Sequence, residues 1–326
     1  MKTLKKVLIG GLLTCCAVVS LFGFTACGSK MVTNEHTINE TFENISFNID
    51  TANINIYSST DGACKVVCYE REKENHTVSV ENGTLTISLK DVEWYKEVHF
   101  FSKSPKITMY LPAAEYNTLF IDSSTGDVEI AKDFTFNYMD ITLSTADVKC
   151  YASVKETAKI TTSTGGIAVE NASVGALNLS LSTGDVHVHN IECAGNISLD
   201  SSTGEMDFSN ITCKDFFANG STGDKNFSNM DCKNITIKSS TGDVNLTDVV
   251  ALEKFSVTVS TGDVLFERCD GQEIFIKTST GDIKGSLLST KSFIVEGDKI
   301  ELPETVTGGK CELRTNTGKI KITIVE

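Results

Sequence analysis

The tetrapeptide Ser-Thr-Gly-Asp and close variants of it return along this chain at a near-constant interval. With glycine as the anchor, copies fall at Gly126, Gly165, Gly184, Gly204, Gly223, Gly242, Gly262 and Gly281. Ala146 fills the second slot of the series and Gly318 closes it. Successive anchors from 126 to 281 lie 19 or 20 residues apart, and the last gap of 37 fits two periods around a degenerate copy at 294–302. A period this regular is the signature of stacked repeats, none of which buries a core alone.

Within a unit, the positions seven and five before the anchor and two and four after it are apolar. In the copy at Gly242 these are Ile235, Ile237, Val244 and Leu246, with polar Thr236 and Asn245 between them. That alternation predicts two short strands per unit, each with one buried face. No segment holds the 3.6-residue period of an amphipathic helix. Stacked in register at about 4.8 Å, about eleven rungs give an all-β, parallel β-solenoid on the order of 50 Å long. Ser-Thr-Gly-Asp is then the corner between strands. Glycine permits positive φ, and Ser, Thr and Asp side chains bond nearby N–H groups. Ala146 shows that the slot does not strictly demand glycine.

The N-terminus is built differently. Lys2, Lys5 and Lys6 precede an apolar run at 7–24, and small residues then surround Cys27, so residues 1–26 have the layout of a signal peptide. Thr25-Ala26-Cys27-Gly28 resembles a bacterial lipobox, which implies that Cys27 is lipidated and becomes the mature N-terminus; a diacylated cysteine anchors stably. No later stretch is apolar for long enough to be a second membrane segment. With 43 acidic against 29 basic residues the chain carries −14, and loss of the leader removes three lysines more. That charge is a poor match for nucleic acid, and an anionic bilayer would repel the body rather than hold it flat.

Residues 27–37 read as an anchor linker, 38–115 as an N-terminal β region capping the solenoid, and 116–326 as the solenoid itself. The stretch 45–59 alternates and carries a degenerate corner at Asp50-Thr51-Ala52-Asn53, while Asn82-Gly83 between alternating runs signals a hairpin. A solenoid must cover its end strands. At the other end, 319–326 finishes on a strand with no capping segment beyond it, which reads either as an edge protected by Lys319 and Lys321 or as one that pairs with a partner.

Several constellations could carry chemistry. Asp127, Asp147, Asp185, Asp224, Asp243, Asp263 and Asp282, with Glu205 in the fifth slot, follow the anchors as a column. Such a column could ligate calcium or accept N–H bonds at the corners. Cys193, Cys213 and Cys232 share one position on successive rungs and read as a buried thiol ladder. Cys64 and Cys68 share a strand face but lie too far apart to pair. His187 and His189 point outward, where Glu170 and Asp207 on adjacent rungs could join them around a metal; solvated surface histidines are the alternative. The outward row Glu129, Lys149, Ala168, His187, Asp207 and Asn226 shows no acid–base cluster, and no Ser-His-Asp set can be assembled. Residues 91–105 break the repeat with Trp94, Tyr95, His99, Phe100 and Phe101. Those aromatics suit either a plug over the solenoid end or a binding surface, and Trp94, Tyr95, Phe100 and Phe101 are the binding candidates.

The stretch ITMYLPAAEYNTLFIDSSTGDVEI (107–130), followed by every later copy of the corner, resembles the putative-adhesin family of bacterial β-strand-repeat surface proteins over roughly 38–326. The resemblance implies a parallel β-solenoid on the bacterial surface, often behind a lipoprotein or membrane anchor. It brings no catalytic residues and no cofactor. The expectation is a non-catalytic binding or scaffolding protein on the extracellular face of the membrane. Cys27 would anchor it, and its partner would be a surface polysaccharide or protein. A cell-envelope sensory or regulatory accessory protein and a carbohydrate-active β-helix enzyme are the alternatives.

Overall fold

The computed structural model describes residues 17–18, 30–72, 74–89, 104–304 and 307–325. Among these residues every regular element is a β-strand, and through the body each rung pairs in parallel with the next. Segments 177–183, 197–203, 216–222, 235–241, 255–261 and 274–280 lie side by side as one face. Past the glycine corner, 186–189, 206–209, 225–228 and 244–247 form a second face.

A third stretch follows that alternation alone did not reveal: 211–213, 230–232 and 249–251 pair as a further face. The chain reaches it through a second corner six residues after each anchor. Asn171, Asn190, Asn210, Asn229, Asp248 and Arg268 stand there with φ between +51° and +56°. Asn and Asp tolerate this left-handed conformation better than other side-chain-bearing residues. The amides also bond along the column: Asn190 Nδ2 donates to Asn171 Oδ1 at 2.9 Å, Asn210 to Asn190 at 2.7 Å and Asn229 to Asn210 at 3.1 Å. Arg268 Nε continues the series onto Asp248 at 2.7 Å.

Inward positions stack like on like. Leu177, Ile197, Phe216, Ile235, Phe255 and Ile274 form one buried row, and the rings of Phe208, Phe216 and Phe227 meet at 5.1–5.8 Å. Lys225 interrupts the apolar row two residues after the anchor yet is fully buried. Its stem occupies space left by Gly220, where a Cβ would sit 2.6 Å from Lys225 Cε, and Nζ donates to the Gly223 carbonyl. Burial pushes this ammonium below its ordinary pKa, against an opposing pull from Asp224.

Both ends of the column are closed by the same device. The first rung in sequence is not the outermost one: 44–48 lie between 84–88 and 118–122, and Asn53–Ser58 lies between Lys106–Leu111 and Val128–Ile130. Outside Lys106–Leu111, strands Cys64–Arg71, Met31–Ile38 and the short Ala17–Val18 add in turn in antiparallel sense. His76–Glu81 and Thr84–Leu89 form the hairpin that Asn82-Gly83 predicts.

At the C-terminal end the structure corrects the expectation of a bare final strand. Lys319–Ile324 pairs with 283–287 on one side and Lys299–Glu301 on the other, and Gly309–Thr317 lies between 273–280 and 291–296. The degenerate copy at 294–302 is therefore the outermost rung, and the better-formed copy at Gly318 is tucked beneath it. Ile294 and Ile300 on the outer rung are half-exposed, while Gly318 stacks closely enough that a Cβ would lie 2.0 Å from the Gly281 carbonyl oxygen. The copy that keeps a corner glycine takes the place that needs one. Lys291, which opens the outer rung, reaches back to Asp270 at 2.6 Å and Ser289 at 2.7 Å.

Candidate functional site

The corner stack fixes everything displayed on the outside of the column. At Gly126, Gly165, Gly184, Gly204, Gly223, Gly242, Gly262, Gly281 and Gly318, φ runs from +116° to +155°, which only glycine adopts without strain. Each glycine also lies against its predecessor: a Cβ on Gly204 would sit 1.9 Å from the Gly184 carbonyl oxygen. Ala52 and Ala146 occupy the same slot with ordinary φ, so the alanine copies relax the backbone instead of straining it.

The acidic column accepts N–H bonds from rung to rung. Oδ1 of Asp127 accepts the N–H of Asp147 at 3.0 Å, and Asp147 that of Gly166 at 2.7 Å. Asp224, Asp243 and Asp263 accept from Asp243, Asp263 and Asp282 at 2.8–2.9 Å. Asp282 accepts from Lys319 at 2.8 Å, and the Lys284 ammonium together with that N–H holds its carboxyl below the usual range. One oxygen of each such carboxylate is thus committed to the neighbouring rung.

A groove of about 650 Å³ runs parallel to the axis where the third face turns into the next rung. One wall is a single position of the pairing register read up the column: Glu115, Thr135, Ser153, Ser173, Glu192 and Thr212. Register pairing sets Glu115 beside Thr135, Thr135 beside Ser153 and Glu192 beside Thr212, and the Ser173 N–H donates to Ser153 Oγ at 3.2 Å. Five rung steps of about 4.8 Å make this row about 24 Å long. Lys155 bridges two rungs to Glu115 at 2.6 Å, and Val154, Val174 and Ala194 supply an apolar floor. A straight row of hydroxyls and carboxylates over an apolar floor matches an extended chain with repeating polar groups. Sequence reasoning missed the row, because its residues stand at varying offsets from the anchors, +9 at Thr135, +7 at Ser153 and +8 at Ser173, Glu192 and Thr212, and only the pairing register lines them up.

Of the sequence candidates, the structure gathers His187, His189 and Asp207. Asp207 Oδ2 lies 4.0 Å from His187 Nδ1 and 3.7 Å from His189 Nε2, and His189 Nδ1 meets Ser209 Oγ at 2.5 Å. Glu170 is the register neighbour of His189 and stays outside the group. The rest of that outward row, Glu129, Lys149, Ala168 and Asn226, pairs rung to rung as expected. Cys193 and Cys232 are buried and Cys213 is partly exposed, its sulfur 3.1 Å from that of Cys232. Burial pushes the thiols of Cys64, Cys68, Cys269 and Cys311 up to about 12 and that of Cys150 to about 11. Cys27, Trp94, Tyr95, His99, Phe100 and Phe101 lie outside the described residues. Among the described aromatics, Phe120 and Tyr138 are the most exposed.

Comparison with known proteins returns a family match twice over: the model of the Toastrack DUF4097 family fits residues 42–197 and again 195–324. No curated protein matches the chain. Among solved structures, a putative lipid binding protein from Parabacteroides distasonis is similar at 16% identity and a TM-score of 0.43, over 89% of this chain and 97% of its own. A putative adhesin from Bacteroides fragilis is similar at 18% identity and a TM-score of 0.31, over 90% and 97%. A putative cell adhesion protein from Clostridium sporogenes is similar at 9% identity and a TM-score of 0.23, over 91% and 100%.

Proposed function

This chain belongs to the Toastrack DUF4097 family, and on that premise we propose that it is a non-catalytic binding protein of the bacterial cell surface, anchored by lipid at Cys27. Its ligand on this reading is an extended polymer, a surface polysaccharide or a protein strand, laid along the axial groove. The observation that carries the reading is the polar row Glu115, Thr135, Ser153, Ser173, Glu192 and Thr212, held at constant spacing by the stacked rungs. A rigid column pre-organises such a row, so a repeating ligand meets it without ordering a loop first. The buried thiols, pushed toward 11 and 12, supply no thiolate nucleophile near neutral pH. The acidic body stands off the anionic membrane and presents the groove to the outside.

The test is an array of surface polysaccharides and extended peptides probed with the chain from Cys27 onward, alongside Ser173→Trp. Binding that the tryptophan abolishes while the thermal midpoint holds is the expected result. Equal binding by the variant sinks the groove, and released product sinks the non-catalytic reading.

A further inference from the structure

Three strands outside the repeat bring together a set of side chains that a solenoid cap does not need. Met31–Ile38 and Cys64–Arg71 pair antiparallel, with Asn34 opposite Cys68 and His36 opposite Val66. Directly opposed residues share a face, so His36, Cys68 and Glu70 all project to the inner side. His76 opens the next strand and folds back onto Glu70. Cys68 and Glu70 are completely buried and His76 nearly so. One atom each of Cys68, Glu70 and His76 lies within 4.8 Å of the other two.

The polar bonding of this cluster is incomplete in a specific way. Glu70 Oε2 takes the His76 N–H at 2.7 Å and faces His76 Nδ1 at 2.6 Å, while Oε1 takes Asn34 Nδ2 at 2.5 Å. Among the described residues, His76 Nε2 and both ring nitrogens of His36 are buried without a hydrogen-bond partner. Each orphaned polar atom carries an unrepaid desolvation cost. An imidazole, a thiol and a carboxylate on one buried face make a donor set for a borderline divalent cation.

We propose that this cap binds one zinc-type divalent metal ion, with Cys68, Glu70 and His76 as ligands. On binding, the Cys68 S–H bond breaks, its proton leaves to solvent and the sulfur lone pair forms the metal bond. No electron is exchanged. The role is structural. Met31–Ile38 borders the cap on one side, with Ala17–Val18 paired beyond it at Glu35 and His36, and His76–Glu81 borders it on the other. The ion would tie the two together across this end of the column.

The full chain from Cys27 onward is stripped with a chelator, titrated with Co²⁺ or Zn²⁺, and desalted. One ion retained per chain is expected, with a sulfur-to-cobalt charge-transfer band in the cobalt form and a higher thermal midpoint in the zinc form. Cys68→Ser should lose the band; Cys64→Ser, on the same strand but outside the cluster, should keep it. His76→Gln should weaken retention at least tenfold and remains informative if Cys68→Ser fails to fold. Wild-type chain that retains no metal, or that binds cobalt with no sulfur band, overturns the proposal. So does a band that survives in folded Cys68→Ser.

Discussion

Gly204→Ala puts one methyl group into the corner stack, and the structure sets its effect. The new Cβ would lie 1.9 Å from the Gly184 carbonyl oxygen, where an ordinary carbon–oxygen contact is roughly 3.3 Å. The rungs must therefore part locally by more than an ångström or the corner must turn. Parting them stretches Gly184 N–H to Thr203 O at 3.0 Å and Glu205 N–H to Asp185 Oδ1 at 2.8 Å, each worth about 1 kcal/mol net. Keeping φ near +140° with a side chain present adds about 1–3 kcal/mol. The sum is a destabilisation of about 3–5 kcal/mol. Ala146→Gly is the matched control: its φ is ordinary, so the exchange should remove no more than about 1 kcal/mol, through the entropy of the unfolded chain. Urea titration followed by far-ultraviolet circular dichroism reads both. A loss below about 1 kcal/mol for Gly204→Ala, or equal losses for both variants, would show that the close glycine–carbonyl stacking does not hold the corner.

Three further outcomes follow from other parts of the column. Asn210→Ala removes the amide bonds to Asn190 and Asn229 and leaves alanine at φ +56°. A loss of about 2–3 kcal/mol is expected by urea titration, and Asn210→Gly should recover the backbone share of it. Burial works against the Asp270 carboxylate, but hydrogen bonds from Lys291, Ser289 and Gly271 outweigh it and hold its pKa below 3.8. A folded-state pKa below the unfolded one gives stability that is present above pH 3.8 and lost as pH falls through the folded value. Lys291→Met should therefore lower the thermal midpoint at neutral pH and flatten its fall in acid; an unchanged acid limb would exclude the pair as the cause. Cys27→Ala should move the chain from the membrane fraction to the soluble one in the native bacterium, and continued sedimentation with membranes would exclude lipid at Cys27 as the anchor.

Local chemistry wrote the body of the fold into the sequence. The spacing of Gly126 through Gly281, the apolar pairs beside each glycine and the Asn82-Gly83 turn all act within a few residues, so each is readable from its own neighbourhood. The asparagines at the second corner were equally local. They stood at a fixed repeat position from Asn171 to Asn229, but polar residues in a polar gap do not disturb a hydrophobic alternation and so escaped it. The groove row of Glu115 through Thr212 escaped because its offset from the anchors varies and only the pairing register lines it up.

The sequence by itself determined that units of 19 or 20 residues stack as β rungs, because strand alternation and corner glycines are short-range requirements met one unit at a time. Only the tertiary structure decided the order of rungs at the two ends. Rungs of one shape are nearly interchangeable as neighbours, so placement depends on which copy tolerates solvent: 294–302 faces out with half-exposed isoleucines, and Gly318 stacks on Gly281. The placement of Asn34 against Glu70, beside Cys68 and His76, is likewise a tertiary fact. Antiparallel pairing joins positions more than thirty residues apart, and no local pattern records which side chains such a pairing will bury together.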